Sequence, residues 1–204
     1  MGLWSREVVP RLIDRVGGSR DLRARRGEVC RGLAGRVLEV GFGSGLNVPH
    51  YSVDVTEVFA VEPSDVAWRL SRARRDASGV AVTRVGLDGH ALDLGDASCD
   101  AALITFTLCT VDDPARVLAE VARVVRPTGE VHVLEHGLSP ASRVATWQRR
   151  LDPVQRRLFD GCRLTREPVA MLTAAGLSVV IERAGPAPGP KPWTYLTSAV
   201  ALRR

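Results

Sequence analysis

Short apolar runs rich in valine alternate along this chain with stretches of helical spacing. The runs are Arg36–Val40, Glu57–Val61, Val80–Val85, Cys99–Thr105, Glu130–Glu135, Leu177–Glu182 and Trp193–Leu202. Runs of this kind are the pattern of strands covered on both faces. Seven such strands with helices between them predict a doubly wound α/β domain. One helix is especially clear: Asp113 can cap it, Pro114 suits its first position, and Val117, Leu118, Val121, Val124 and Val125 form one apolar face. Arg126-Pro127-Thr128-Gly129 then stops it. A second helix is predicted from a cap at Thr165 to Gly176. Residues 138–164 read as an inserted helical segment interrupted at Asp152-Pro153, and Ala184–Pro192, with four prolines and two glycines, reads as a loop.

At the N-terminus, Val8, Val9, Leu12, Ile13 and Val16 have helical spacing, with Pro10 forcing a start or a kink. A surface helix, a mobile lid over a ligand and a membrane-surface helix all fit that pattern. The expected division is an N-terminal helical lid or cap over residues 1–34 and a single domain over 35–204.

Composition narrows the class. With 204 residues, 45% of them hydrophobic, one domain with a sizeable core is expected. No apolar run has the length of a signal peptide or approaches the roughly 20 residues of a membrane span, so a cytoplasmic protein without stable membrane insertion is expected. Cys30, Cys99, Cys109 and Cys162 are scattered without CxxC spacing. They read as free thiols, and no metal is expected. The net charge is +5, and Lys191 is the sole lysine among 28 basic residues. A mild, arginine-based excess of this kind does not argue for nucleic acid.

The chemistry starts at Val37-Leu38-Glu39-Val40-Gly41-Phe42-Gly43-Ser44-Gly45-Leu46-Asn47. An apolar strand enters a glycine-rich turn, where missing side chains let a ligand approach the backbone. The dinucleotide fingerprint needs glycine where Leu46 stands, which argues against a nicotinamide-dependent oxidoreductase. Glu39, two residues before the first glycine, instead suits a cationic ligand and would repel a pyrophosphate. The second strand ends in Glu62-Pro63, and a carboxylate there can accept both ribose hydroxyls.

Further on, Asp88-Gly89-His90-Ala91-Leu92 precedes Asp96-Ala97-Ser98-Cys99-Asp100 and a strand. This order resembles the class I S-adenosylmethionine-dependent methyltransferases, in which D-A-x-x-L precedes D-x-S-F-D. Arg123-Val124-Val125-Arg126-Pro127-Thr128-Gly129 is similar to their R-V-L-R-P-G-G. The resemblance implies a Rossmann-like fold with a mostly parallel seven-stranded sheet, its last strand antiparallel, and helices on both faces. It implies S-adenosylmethionine as cofactor, leaving S-adenosylhomocysteine as product. The cofactor residues expected are Glu39, Gly41, Gly43, Gly45, Asn47, Glu62, Pro63, Asp88, Gly89, His90, Thr105 and Leu108. Asp88 would accept from the adenine amino group.

A narrower likeness covers the rest. Leu103-Ile104-Thr105-Phe106-Thr107-Leu108-Cys109-Thr110-Val111, Leu134-Glu135-His136, Trp147-Gln148, Leu151-Asp152-Pro153, Phe159-Asp160-Gly161-Cys162 and Leu164-Thr165-Arg166-Glu167 resemble the methyltransferase-like family that includes animal alkyl thiol methyltransferases. The hydrophobic membrane anchor of those enzymes has no counterpart in Met1-Gly2-Leu3-Trp4-Ser5-Arg6. A small-molecule acceptor with a thiol leads, and the thiol's ordinary pKa of about 8.5 already supplies some thiolate near neutrality. An O- or N-methyltransferase of a small metabolite or phospholipid head group, or a non-catalytic cofactor-binding protein, are the alternatives. The strand-four tip lacks the N/D-P-P-Y motif of amino-group methylation on nucleic acids. Trp147, Phe159, Asp160 and Trp193 are the expected acceptor wall, and His136 the candidate general base. The sequence leaves the oligomeric state open.

Overall fold

The computed structural model describes residues 3–203. A π-helical turn, Trp4–Val8, leads into α1 (Val9–Gly17) and α2 (Arg20–Val29). There follow β1 (Gly35–Val40), β2 (Val55–Val61), α3 (Asp65–Leu70), α4 (Arg72–Asp76), β3 (Ala81–Gly86), β4 (Cys99–Thr105) and α5 (Pro114–Val124). The chain finishes with β5 (Val125–His136), α6 (Ser142–Leu158), α7 (Pro168–Ala174), β6 (Leu177–Pro186), α8 (Lys191–Thr194) and β7 (Tyr195–Arg203). The strands form one sheet in the order β3-β2-β1-β4-β5-β7-β6. β7 runs antiparallel to both its neighbours, as expected, and the pairs from β3 to β5 are parallel. Strand order reverses between β1 and β4, so their carboxyl ends frame the crevice where open α/β sheets bind ligands.

Strand alternation sorts the core onto two faces. Leu38, Val40, Ile104 and Val133 pack against Val117, Leu118, Val121 and Leu172 of α5 and α7. Val37, Leu103 and Leu134 pack on the other face against Val29, Cys30 and Leu33, at and beyond the end of α2. By the same alternation Glu39 and Thr105 project on the α2 side, which decides what they meet.

Three local expectations are corrected. α6 runs unbroken through Pro153, because that residue is exposed and the carbonyl its missing N–H leaves free can be hydrated. Thr165 is not a helix cap: its hydroxyl donates to Asp152 Oδ1 at 3.2 Å, and α7 starts instead with Pro168 in its first turn. The stretch 184–192 is only partly loop. Ala184, Gly185 and Pro186 pair with Thr197, Leu196 and Tyr195 of β7, and Lys191–Thr194 is a helical turn. Pro186 is tolerated there because β6 is the edge of the sheet.

The N-terminal elements behave differently from each other. α2 is built into the core. α1 lies over the crevice, tied by Asp14 to Arg74 at 2.8 Å, while Trp4 Nε1 donates to Leu158 O of α6 at 2.9 Å. Among the described residues, no helix is long and apolar enough to cross a membrane.

Candidate active site

The glycine-rich turn is held from below by a buried polar network. Both Glu39 oxygens are used: Asn47 Nδ2 donates to one at 2.8 Å and the Tyr51 hydroxyl to the other. Arg26, from α2, donates to Asn47 Oδ1 at 2.7 Å and to Thr105 Oγ1 at 3.0 Å. Burial pushes the Glu39 carboxyl up to about 7, and the Tyr51 and Asn47 hydrogen bonds and the Arg26 charge oppose that rise. The guanidinium also stands over the Phe106 ring at 5.3 Å. Gly41, with φ +75°, is glycine for two reasons: a Cβ there would lie 1.8 Å from Thr107 Oγ1, and the left-handed backbone disfavours side chains.

A cavity of about 1010 Å³ opens above this network. At one end lie Gly41, Gly43, Glu62, Pro63, Asp88, Gly89 and His90. Glu62 is buried, with Gly43 N and Ser64 N donating to its two oxygens at 2.7 Å each. Burial raises its pKa, against the pull of those two bonds. Asp88 is exposed and accepts from His90 N at 2.8 Å and faces His90 Nδ1 at 2.5 Å. Those two bonds hold its carboxyl below the usual range. Gly89 packs its Cα so close to Val40 that a Cβ would meet Val40 Cγ1 at 3.0 Å.

The other end holds Phe106, His136, Phe159, Asp160, Trp193 and two cysteines, Cys109 and Cys162. Trp193 Nε1 donates to Gln155 Oε1 at 2.9 Å. Asp160 has φ +48° and precedes Gly161 at +89°, so it shapes the turn as well as lining the cavity. Phe106 is also left-handed, φ +53°, an uncommon conformation for an aromatic residue. Its ring packs against that of His136 at a 60° tilt, with centroids 5.1 Å apart. Beneath, the fully buried Glu135 accepts from Thr107 N at 2.6 Å, Leu108 N at 2.7 Å and Cys109 N at 3.1 Å. Burial raises its pKa to about 7 although all three donors favour the charged form. The two cysteine sulfurs are 3.7 Å apart, and Cys162 Sγ lies 3.8 Å from His136 Nδ1.

The sequence-derived set divides accordingly. Gly41, Gly43, Glu62, Pro63, Asp88, Gly89, His90 and Thr105 line the cavity, as do His136, Phe159, Asp160 and Trp193. Glu39, Gly45, Asn47 and Leu108 do not. Glu39 and Asn47 support the turn from beneath. Gly45 is packed against Ser71, Val48 and Phe42, and the Leu108 amide is spent on Glu135. Trp147 is 54% exposed and lies beside Arg150, away from the cavity. The buried face of α6 carries Ala145, Gln148 and Gln155, so its phase turns Trp147 to solvent. Arg26, Phe106, Cys109 and Cys162 were missed, since each acquires its role only through contacts distant in sequence.

Two buried polar atoms in residues lining this cavity, Ser44 Oγ and Arg26 Nε, have no hydrogen-bond partner among the described residues. A Cβ on Gly43 would meet nothing closer than Gly41 O at 3.9 Å. Bare backbone along a cavity wall is where a ligand can approach closely. The model of a methyltransferase domain matches residues 38–133. This chain belongs to the S-adenosylmethionine-dependent methyltransferases. Thiol S-methyltransferase TMT1A of Homo sapiens is 34% identical over 148 residues, 70% of this chain and 59% of that protein. Demethylmenaquinone methyltransferase of Thermobifida fusca is 31% identical over 159 residues, 73% and 67% respectively. This chain therefore spans about three fifths of the length of the thiol methyltransferase relative. In fold it matches a possible histamine N-methyltransferase of Thermotoga maritima with a TM-score of 0.70 at 20% identity, covering 98% of this chain and 100% of that one. S-adenosylmethionine is the cofactor of this methyltransferase family, and the glycine-turn end of the cavity fits it.

Proposed function

We propose that this protein transfers a methyl group from S-adenosylmethionine to the sulfur of a small-molecule thiol. The observation that carries the reading is a single cavity joining the glycine-rich turn and Glu62 to an aromatic end, Phe106, Phe159 and Trp193. The choice of thiol rests on the similarity to a thiol S-methyltransferase. The bound cofactor supplies an electrophilic methyl on a cationic sulfonium, and the chain's own residues do the positioning. Glu62 would accept the ribose hydroxyls, its carboxylate fixed by the amides of Gly43 and Ser64. Asp88 would meet the adenine edge with the oxygen that His90 leaves free. α1 would act as a lid, with Leu12, Ile13 and Val16 over the cavity excluding water.

Glu62→Ala is expected to weaken cofactor binding by about 2 kcal/mol, the size of a lost charged hydrogen bond. That corresponds to a Kd roughly 30-fold higher. Calorimetry with S-adenosylhomocysteine measures it, and an unchanged Kd would remove Glu62 from the site. The acceptor is tested with labelled S-adenosylmethionine and matched thiol, hydroxyl and amine acceptors, with Glu62→Ala as control. Label is expected in the thiols. Label found only in hydroxyl or amine products would overturn the thiol assignment and leave methyl transfer intact.

A further inference from the structure

We propose that Cys109, His136 and Cys162 form a zinc site whose fourth position takes the acceptor thiolate. The fourth ligand rests on the thiol reading above; the three protein ligands stand on their own geometry. They arrive from separate places: the turn after β4, the last residue of β5, and the turn after α6. The sequence separations of 26 and 53 residues conceal the grouping. Their ligand atoms all lie within 4.8 Å of one another.

Tetrahedral zinc, with Zn–S of about 2.3 Å and Zn–N of about 2.0 Å, sets S···S near ~3.8 Å and S···N near ~3.5 Å. The observed 3.7 Å between sulfurs and 3.8 Å from Cys162 Sγ to His136 Nδ1 come close to those edges. The remaining edge, no longer than 4.8 Å, closes with a movement of at most about 1.3 Å. A disulfide would need sulfurs at about 2.05 Å, and all four cysteines are free. Two thiolates and an imidazole are a soft donor set, which favours zinc over magnesium or calcium.

The surrounding backbone fixes the ligands independently of any metal. Cys109 N donates to Glu135, Arg163 N donates to Cys109 O at 2.8 Å, and Cys162 N donates to Phe159 O at 3.0 Å. All three residues line the cavity, and the fourth position is assigned to that side. A site with three protein ligands and one open position is the pattern of zinc in catalysis rather than in structure. Two thiolates cancel the dication, and the acceptor thiolate then adds the single negative charge that faces the sulfonium.

The acceptor thiol binds the metal as thiolate and its proton passes to solvent. A sulfur lone pair forms the new S–CH₃ bond while the methyl–sulfonium bond breaks, its electron pair remaining on the departing sulfur. The zinc keeps its oxidation state, and the thioether product, a poorer ligand, is released. In this assignment His136 is a ligand, and the thiol needs no protein base.

The test uses the full chain without a histidine tag, purified in reductant. It is mixed with stoichiometric zinc, desalted and analysed for metal. About one equivalent per chain is expected, with loss in Cys109→Ser and Cys162→Ser. Because either variant could fail to fold, the wild-type protein is also loaded with cobalt(II). A thiolate-to-cobalt charge-transfer band and the intense visible bands of a tetrahedral site are expected. Absence of retained zinc and of those bands would overturn the site, as would two thiols missing on titration of the denatured protein. Thiol methylation undiminished in chelator-treated, zinc-free protein would overturn the proposal and leave the thiol reading standing. Zinc retained, with label passing only to hydroxyls or amines, would overturn the thiolate as fourth ligand and the thiol reading with it.

Discussion

Glu135→Ala is expected to destabilise the fold by about 4 kcal/mol, since a buried donor left without its acceptor costs ~1–3 kcal/mol. Three backbone amides, those of Thr107, Leu108 and Cys109, point into one carboxylate that has no exposure to solvent. Alanine leaves all three unmet and opens a void beside them. Domains of this kind have a total stability of about 5–15 kcal/mol, so the variant would be marginal. Glu135→Gln grades the effect. One oxygen accepts from both Thr107 and Leu108, so a glutamine carbonyl there keeps two bonds and turns its amide against Cys109 N–H. A loss of about 1–2 kcal/mol is expected. Urea unfolding measures both. An alanine variant within ~1 kcal/mol of wild type would mean that water replaces the carboxylate, and the idea of a structural anion beneath the β4 turn would fall.

The second large effect is expected at Arg26. Its guanidinium holds Asn47 and Thr105 and offsets the charge of Glu39. Removing one partner of a buried ionic network costs about 3–5 kcal/mol, because the other is left uncompensated. Arg26→Met keeps much of the apolar stem and removes the charge, so an unfolding free energy lower by about 3 kcal/mol is expected. Cofactor affinity should fall as well, since Asn47 braces the glycine turn. The double variant Arg26→Met/Glu39→Gln should recover part of the loss, for the uncompensated carboxyl is then gone. Strictly additive losses in that cycle would show that Arg26 and Glu39 are not coupled.

Much of the fold was legible because strand and helix patterns are local. The valine runs lie within the observed strands apart from a residue or two at some ends, and Cys99–Thr105 coincides with its strand. Asp113 caps α5, its side chain accepting from Arg116 N. The glycine turn was legible for the same reason. The resemblance places Leu108 at the cofactor, but the turn after β4 aims its amide at Glu135. Trp147 was placed in the acceptor wall by residue type, when the phase of α6 already put it beside exposed positions. Arg26 had no visible signal: in a chain with a single lysine among 28 basic residues, one arginine looks like any other until the fold brings it beside Glu39. The cysteine pair was hidden by distance along the chain, and only the convergence of β4, β5 and α6 reveals it.

The position of Arg26 also bears on what counts as the smallest working piece of this molecule. The family model begins at residue 38 and ends at 133, yet the cation that compensates Glu39 comes from α2, and α6 carries Trp4's acceptor and the approach to Cys162. A fragment trimmed to the shared segment would keep every glycine of the cofactor turn and lose the counter-charge beneath it. Chimeras among these enzymes should therefore carry α2 and β1 as one block. The module is defined by its buried charges rather than by the boundaries of sequence likeness.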